Sequence, residues 1–343
     1  MLSFVNDYSE TACEEILRRL TALGSLKSPG YGEDAFCQSA KEKIREAVGC
    51  PDADIFFLVG GTQTNATVLD AILETFEGVI AADTGHINAH EAGAVELLGH
   101  KILTIPGKDG KLDPGAVRKW LEDFYAEPTH EHMVAPGAVY ISQPTEYGTI
   151  YTKEELQSLR ALTKEYGLRL YLDGARLGYA LASPGNDVGF KDIGALTDAF
   201  YIGGTKQGAL MGEAVVFPEK TPKHFFSIMK QHGALLAKGF LLGLQFDTLF
   251  TDDLYVKLSR RAVASAKRLR EIFVSKGYRL APETESNQSF VALTQEEAAA
   301  LQENVEFGYW GPLDEKSSVY RFVCSVTTTP EEVEELAKYI PER

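Results

Sequence analysis

DAFYIGGTKQGALMGEAVV, residues 198–216, sets a single lysine in a glycine-lined turn between two apolar runs. Ala199 to Ile202 reads as a buried strand, Gly203 and Gly204 let the backbone turn sharply, and Ala214 to Phe217 reads as the next strand. Partial burial or a nearby cation moves a lysine toward its neutral amine, the form that condenses with an aldehyde. Lys206 has such surroundings; on this stretch alone, a solvated hairpin lysine is the alternative. A second stretch, LRLYLDGARLGY at 168–179, shifts the balance. There an apolar strand ends in Asp173, with Gly174 and Arg176 close behind, and such strand ends are where ligands sit in open parallel sheets.

A carboxylate at that point can pair with a pyridinium nitrogen and keep it protonated, so that the ring accepts electrons. Lys206 and Asp173 together therefore read as the anchor and the ring partner of pyridoxal 5'-phosphate. Without the lysine, Asp173 reads as a helix cap. A third unit supplies a place for the phosphate: a short strand at 55–59, the polar turn GGTQTN at 60–65, and a helix from Ala66 to Phe76. Free amides and the positive dipole end would face an anion there. The spacing is neither GxGxxG nor a P-loop, and a plain strand-to-helix turn remains the alternative.

The 343 residues allow one large domain and a smaller one, with 44% hydrophobic and 24% charged residues. Lys plus Arg number 34 against 49 Asp plus Glu, a formal charge of -15. Nucleic acid and anionic membranes are therefore not expected as partners, although an anionic cofactor can occupy a local positive site. Cys13, Cys37, Cys50 and Cys324 are scattered without a CxxC pair, which suits reduced thiols. The N-terminus turns acidic too early for a signal peptide, and no apolar run reaches membrane-spanning length. A cytoplasmic protein is expected, with no metal cluster.

Strand patterns at 79–82, 101–105, 138–142 and 168–172 alternate with helical patterns, among them 113–124 and 152–166. This alternation predicts an α/β fold, a large domain over 1–250 whose mostly parallel sheet is flanked by helices, preceded by an irregular arm, NDYS. Helices are expected at 10–23 and 38–48. His86 lies just past the 79–82 strand, where an imidazole could stack on a planar ring or act as a base; a structural histidine is the alternative. His86 and His90 are four apart, as on a metal-binding helix, but lack HExxH and a clear third ligand. His130 and His132 fall in the polar stretch EPTHEH. From about 250 the pattern changes to a helix at 253–276, strands at 289–293, 306–310 and 319–326, and a final helix opening TPEE, a smaller C-terminal α/β domain over 251–343. Arg321, in VYRFVCSV, is either a buried arginine that needs an anion or an edge-strand arginine facing water.

YGED (31–34), GGTQTNA (60–66), GHINAHEAGA (85–94) and LDGARL (172–177), followed by Lys206 and RFVCSV, occur in one order. With them the chain resembles, over nearly its whole length, the threonine aldolase family of beta-eliminating lyases, which has the aspartate aminotransferase type of fold. The resemblance implies that Lys206 carries the cofactor, that His86 stacks on its ring and assists proton transfer, and that Asp173 pairs with the ring nitrogen. It implies that Gly61 and Thr62 hold the phosphate with Thr205 nearby. Arg176 would bind the ring hydroxyl side or the substrate carboxylate, with Ser9 and Arg321 completing the carboxylate site. Family members are dimers or tetramers with sites at subunit interfaces, which would bring Tyr31 in from a neighbour. Two segments depart from the family pattern: SQPTEYG stands where a histidine-bearing ENTH is common, and GGTKQG where serines often precede the lysine.

The expected reaction is retro-aldol cleavage of a β-hydroxy L-amino acid, threonine or allo-threonine, to glycine and an aldehyde. Beta-elimination, aminotransfer and racemisation need only another bond aligned on the same cofactor. A metal-dependent hydrolase using His86, His90 and Glu91 is the alternative from another class, and a binding protein without turnover is a third.

Overall fold

Seven strands lie side by side in the order Asp54–Leu58, Glu213–Phe217, Ala199–Gly203, Arg169–Asp173, Ala135–Ser142, Glu77–Ala82 and Ile102–Ile105 in the computed structural model, which describes residues 1–343. From Ala199–Gly203 to Ile102–Ile105 every neighbour is parallel. Glu213–Phe217 runs against both of its neighbours, as the tight turn around Lys206 demands. The expected α/β architecture is thus present, with a mostly parallel main sheet.

Alternation along the strands divides the sheet between two cores. Ile80, Val139, Ile141, Leu170, Leu172, Phe200, Ile202 and Val216 face one helical layer. Val79, Ala81, Tyr140, Tyr171, Tyr201 and Val215 face the other, where the helix Gly61–Ile72 lays down Val68 and Leu69. Both faces are covered, so these strands read in the sequence as continuous apolar runs. Three tyrosines on one face put their hydroxyls toward the same end of the sheet, and this turns an apolar layer into a source of hydrogen-bond donors.

A second sheet of Gly308–Pro312, Ser317–Val323 and Gln288–Thr294 is antiparallel, with Ser317–Val323 in the middle. The helix Leu254–Ser275 bridges the two units. Its Leu258, Ala262 and Val263 sit in the main core, and its Ala266, Leu269, Ile272 and Phe273 in the core of the smaller sheet. The N-terminal residues also belong to that smaller core: Leu2 and Ser3 pair with Val305 and Glu306, and Phe4 is buried.

Capping boxes form at Thr152/Glu155 and Thr329/Glu332, where the sequence implied them. Three expectations change. The helix expected from Ala66 begins at Gly61, so GTQTN is its first turn and not a loop; burial of Thr64 and Asn65 overrides their turn preference. The strand expected at 306–310 is split, Val305–Glu306 pairing with the N-terminus and Gly308–Pro312 with the small sheet. Arg321 sits on the central strand of that sheet, which removes the edge-strand reading, because sheet order is not encoded in local pattern. No helix is long and apolar enough to cross a membrane, and all four cysteines are free thiols.

Two backbones pass in contact beneath the site. A Cβ on Gly174 would strike the Tyr201 carbonyl, and one on Gly203 the Ala175 carbonyl. Gly174→Ala is expected to lose about 3 kcal/mol or more, as overpacking against rigid backbone does, whereas Gly311→Ala, facing open space, stays near wild type. Thermal melts of the two variants check this.

Candidate active site

The carboxyl ends of the parallel strands converge on one rim. Asp173 is the last residue of its strand and Ser142 of its own; His86 opens a short helix just past Glu77–Ala82, and Lys206 lies in the turn after Ala199–Gly203. With Gly61, Glu146, Arg176 and Tyr201 they line a slot. His86, Glu146, Arg176 and Lys206 continue into a wider cavity of about 300 Å³, walled by Tyr8, His90, Trp310 and Arg321.

Asp173 is buried, yet four donors address it: Tyr201 Oη (2.5 Å) and the Ala175 amide (2.9 Å) on Oδ1, Tyr140 Oη (2.7 Å) and Asn65 Nδ2 (2.9 Å) on Oδ2. Burial works to raise its pKa, but the nearby His86 and these hydrogen bonds outweigh it and hold the carboxyl below its ordinary value. Burial, then the charge of Asp173, pushes the Tyr140 and Tyr201 phenols far up, so both stay protonated donors.

Lys206 Nζ has no hydrogen-bond or ion-pair partner and lies 6.0 Å from the centre of the Tyr8 ring. Burial, followed by repulsion from Arg176, lowers its pKa against the pull of Asp7, Asp173 and Glu213. The turn that carries it is fixed from below. Thr205 Oγ1 donates to Glu213 Oε1 (2.8 Å) and accepts from the Gly212 amide (3.0 Å), the Gly204 amide reaches Glu213 Oε2, and Tyr179 donates to the Lys206 carbonyl. Burial pushes the Glu213 carboxyl up to about 8.

His86 Nδ1 lies 2.7 Å from Glu91 Oε1, which also accepts from Asn65 Nδ2 at 2.7 Å. Asn65 therefore ties the carboxylate that orients the histidine to Asp173. No three or more His, Cys, Asp or Glu side chains converge as a metal requires, and Glu91, the third member of the hydrolase alternative, serves His86 and Asn65 instead.

The two arginines differ. Arg176 Nε and Nη2 donate to Asp7 at 2.7 and 2.9 Å, leaving Nη1 without a partner. Arg321 has no carboxylate. Nη1 reaches Gln288 Oε1 at 3.3 Å and Nη2 the Val5 carbonyl at 3.4 Å, Nε is buried and unpaired, and the guanidinium rests 5.1 Å over Trp310. Burial and then Arg176 lower its pKa to about 10, so it remains a cation at neutral pH. Half-buried, with its Nε sealed off and no anion beside it, Arg321 comes nearer the first of the two readings the sequence left open.

The other expected residues are distributed as follows. Gly61 and Thr62 start the helix Gly61–Ile72, whose N-cap Gly60 offers no side-chain cap, so the first amides point outward unsatisfied. Ser9 is exposed and donates to Asn6 Oδ1 at 2.9 Å; its neighbour Tyr8, not Ser9, walls the cavity. Tyr31 lies elsewhere, with the Lys230 ammonium 4.6 Å over its ring. His130 and His132 form a short surface turn. Asp7, Asn65, Glu91, Glu146 and Glu213 carry the site's polar network and were not assigned these contacts from sequence. Asp7, Asn65 and Glu146 meet partners far along the chain, whereas Glu91 and Glu213 bond within nine residues across a turn, a spacing with no sequence signature; only Glu91 stood out, as part of the metal alternative. A larger groove behind the loop, at Gly148 and Arg270, gathers no comparable chemistry, since Arg270 is satisfied by Ser286, Gln288 and Ser289.

The slot fits pyridoxal phosphate by its own donors: an unpaired, depressed amine, an ionised carboxylate and an uncapped helix N-terminus. Residues 7–297 match the beta-eliminating lyase family model. The chain is 30% identical to the low specificity L-threonine aldolase of Pseudomonas aeruginosa, over 98% of this chain and 96% of that one. A solved Leishmania major threonine aldolase superposes with a TM-score of 0.95 at 41% identity, covering 98% of each chain. A Thermus thermophilus aspartate aminotransferase variant shares the fold with a TM-score of 0.73 at 16% identity, over 99% of this chain and 90% of that one.

Glu213 makes stability depend on pH. Its carboxyl rises to about 8 in the fold from 4.5, so the stability its proton contributes is full below the unfolded value and lost as pH climbs through the folded one. Glu213→Gln is therefore expected to melt close to wild type at about pH 5 and a few degrees above it at about pH 9. Melting curves at both pH values measure the gap.

Proposed function

Because the chain belongs to the beta-eliminating lyase family, we propose that it is a pyridoxal phosphate-dependent carbon–carbon lyase that splits a β-hydroxy L-amino acid, threonine or allo-threonine, into glycine and an aldehyde. The observation that carries this reading is the meeting, on one slot, of the partnerless Lys206 amine and the ionised Asp173. Bound there, pyridoxal phosphate supplies an aldehyde for amines and a ring that takes up electrons when a bond at the substrate Cα breaks.

The residues divide the work. Lys206, whose pKa burial and Arg176 lower, would be the amine that holds the cofactor. Asp173 would pair with the pyridine nitrogen and keep it protonated. The Gly61 and Thr62 amides take the phosphate, with Thr205 beside them. His86, oriented through Nδ1 by Glu91, would lie against the ring and carry a proton to Cα. Arg321 takes the substrate carboxylate with Arg176 Nη1 beside it, and Ser9 joins them if the arm turns its hydroxyl away from Asn6. That grip would orient the bound substrate, and with it set cleavage against aminotransfer or racemisation. The assembly is a homodimer or homotetramer in which Tyr31 serves a neighbouring subunit's site.

Three measurements test this. Purified protein is expected to be yellow and to release glycine and an aldehyde from threonine or allo-threonine; release of pyruvate or a racemised amino acid instead would overturn the reaction. Lys206→Ala is expected to lose the borohydride-reducible link, and undiminished trapping would move the anchor to another lysine. Arg321→Ala is expected to raise KM for threonine by roughly ten- to hundred-fold, the loss of charge-assisted hydrogen bonds to a carboxylate.

A further inference from the structure

Three carboxylates line the slot, and two have work assigned. Asp173 faces the ring nitrogen, and Glu91 orients His86. The third, Glu146, lines both the slot and the wider cavity next to Lys206. Its Oε1 accepts from the His86 amide at 3.0 Å and from Ser142 Oγ at 2.8 Å. Its Oε2 accepts nothing and, unlike Glu91 Oε2, is not sealed off from solvent.

The loop that presents it is braced. Gln143 exchanges hydrogen bonds with the Tyr151 backbone at 2.9 and 3.1 Å, and Thr145 is bonded to Thr149 through backbone and side chain. The Gly148 carbonyl is held by Thr284 of the smaller unit. Glu146 is thus a pre-aimed carboxylate with one oxygen anchored and one free, as a general base requires. Of the other candidates, His86, oriented through Nδ1 by Glu91, is the group assigned to Cα, and His90 is exposed with no hydrogen bond to hold it.

Resting on the lyase reading above, we propose that Glu146 Oε2 is the base that removes the proton from the substrate's β-hydroxyl. The hydroxyl O–H pair becomes the second bond of the aldehyde carbonyl, and the Cα–Cβ pair stays with Cα. The aldehyde leaves, Cα takes a proton through His86, and Glu146 returns its own to solvent through the cavity. Hydroxyl chemistry and Cα chemistry then belong to different side chains.

Burial raises the Glu146 pKa, and Asp173 adds to this, against Ser142 and His86. Tyr140 and Tyr151 behind it, Glu91, Arg176 and Lys206 from the slot, and Tyr8, His90 and Arg321 across the cavity are the other titratable and charged groups around it. Cleavage is therefore expected to rise with pH through a limb above the ordinary carboxylate range.

Glu146→Gln keeps the shape and both anchoring contacts but cannot take a proton. It is expected to cleave threonine about a hundred-fold or more slowly, to lose that limb, and to keep glycine α-proton exchange, which involves no hydroxyl, within a few-fold. Glu146→Asp is expected to recover part of the cleavage. In the cofactor-free protein, the infrared band of a protonated carboxyl is expected to vanish with rising pH over the same range and to be missing from Glu146→Gln. Unchanged cleavage, cleavage and exchange falling together, or no carboxyl band titrating above the ordinary range would each overturn the assignment. A yellow wild-type protein that exchanges glycine protons but cleaves no β-hydroxy amino acid would instead overturn the lyase reading.

Discussion

Asp173 is a negative charge held inside the protein, and much of the site follows from keeping it charged. An unsupported buried carboxylate would take up a proton, because desolvation penalises the ion. Here the donors come from three strands and one helix: Tyr140, Tyr201, the Ala175 amide that follows its own strand, and Asn65. Each can reach it only if its element sits in register at the rim. The Gly174 and Gly203 contacts show how little slack there is, since neither backbone leaves room for a side-chain carbon. One ionised oxygen pair thus constrains strand register, helix entry and histidine orientation together.

The same economy governs the cations. Two guanidiniums close to one another repel, and the fold resolves this by giving Asp7 to Arg176 and nothing to Arg321. Arg176 becomes part of the scaffold with one nitrogen to spare. Arg321, propped on Trp310, retains an unmet demand for an anion. The asymmetry in partners distinguishes the two arginines more clearly than residue type does.

What the sequence revealed follows from how far each interaction reaches. The strand and helix alternation, the capping boxes and the pair Lys206 and Asp173 were legible, because period, cap spacing and a charged residue at the end of an apolar run are local signals. The start of the helix at Gly61 was misread because Gly, Thr and Asn speak locally for a turn, and only the burial of Thr64 and Asn65 decides otherwise. Arg321 could not be placed at edge or centre, since strand order in the small sheet is a tertiary property. The contact of Asp7 was invisible for the same reason, and Glu146 was legible only as part of SQPTEYG, with no partner assigned. Arg176 lies 169 positions from Asp7, and His86 lies 60 from Glu146.

The N-terminal arm carries a consequence for biosynthesis. Leu2 and Ser3 dock on Val305 and Glu306, Phe4 enters the core of the smaller unit, and Asp7 neutralises Arg176. The arm is made well before the strand and core that receive it, so it can dock there only once that later stretch of chain has been synthesised. With the arm undocked, Arg176 would lack its counterion at the rim of the large sheet. Ordering of the pocket's wall is in this way tied to folding of the smaller unit, with the arm as the clasp between them.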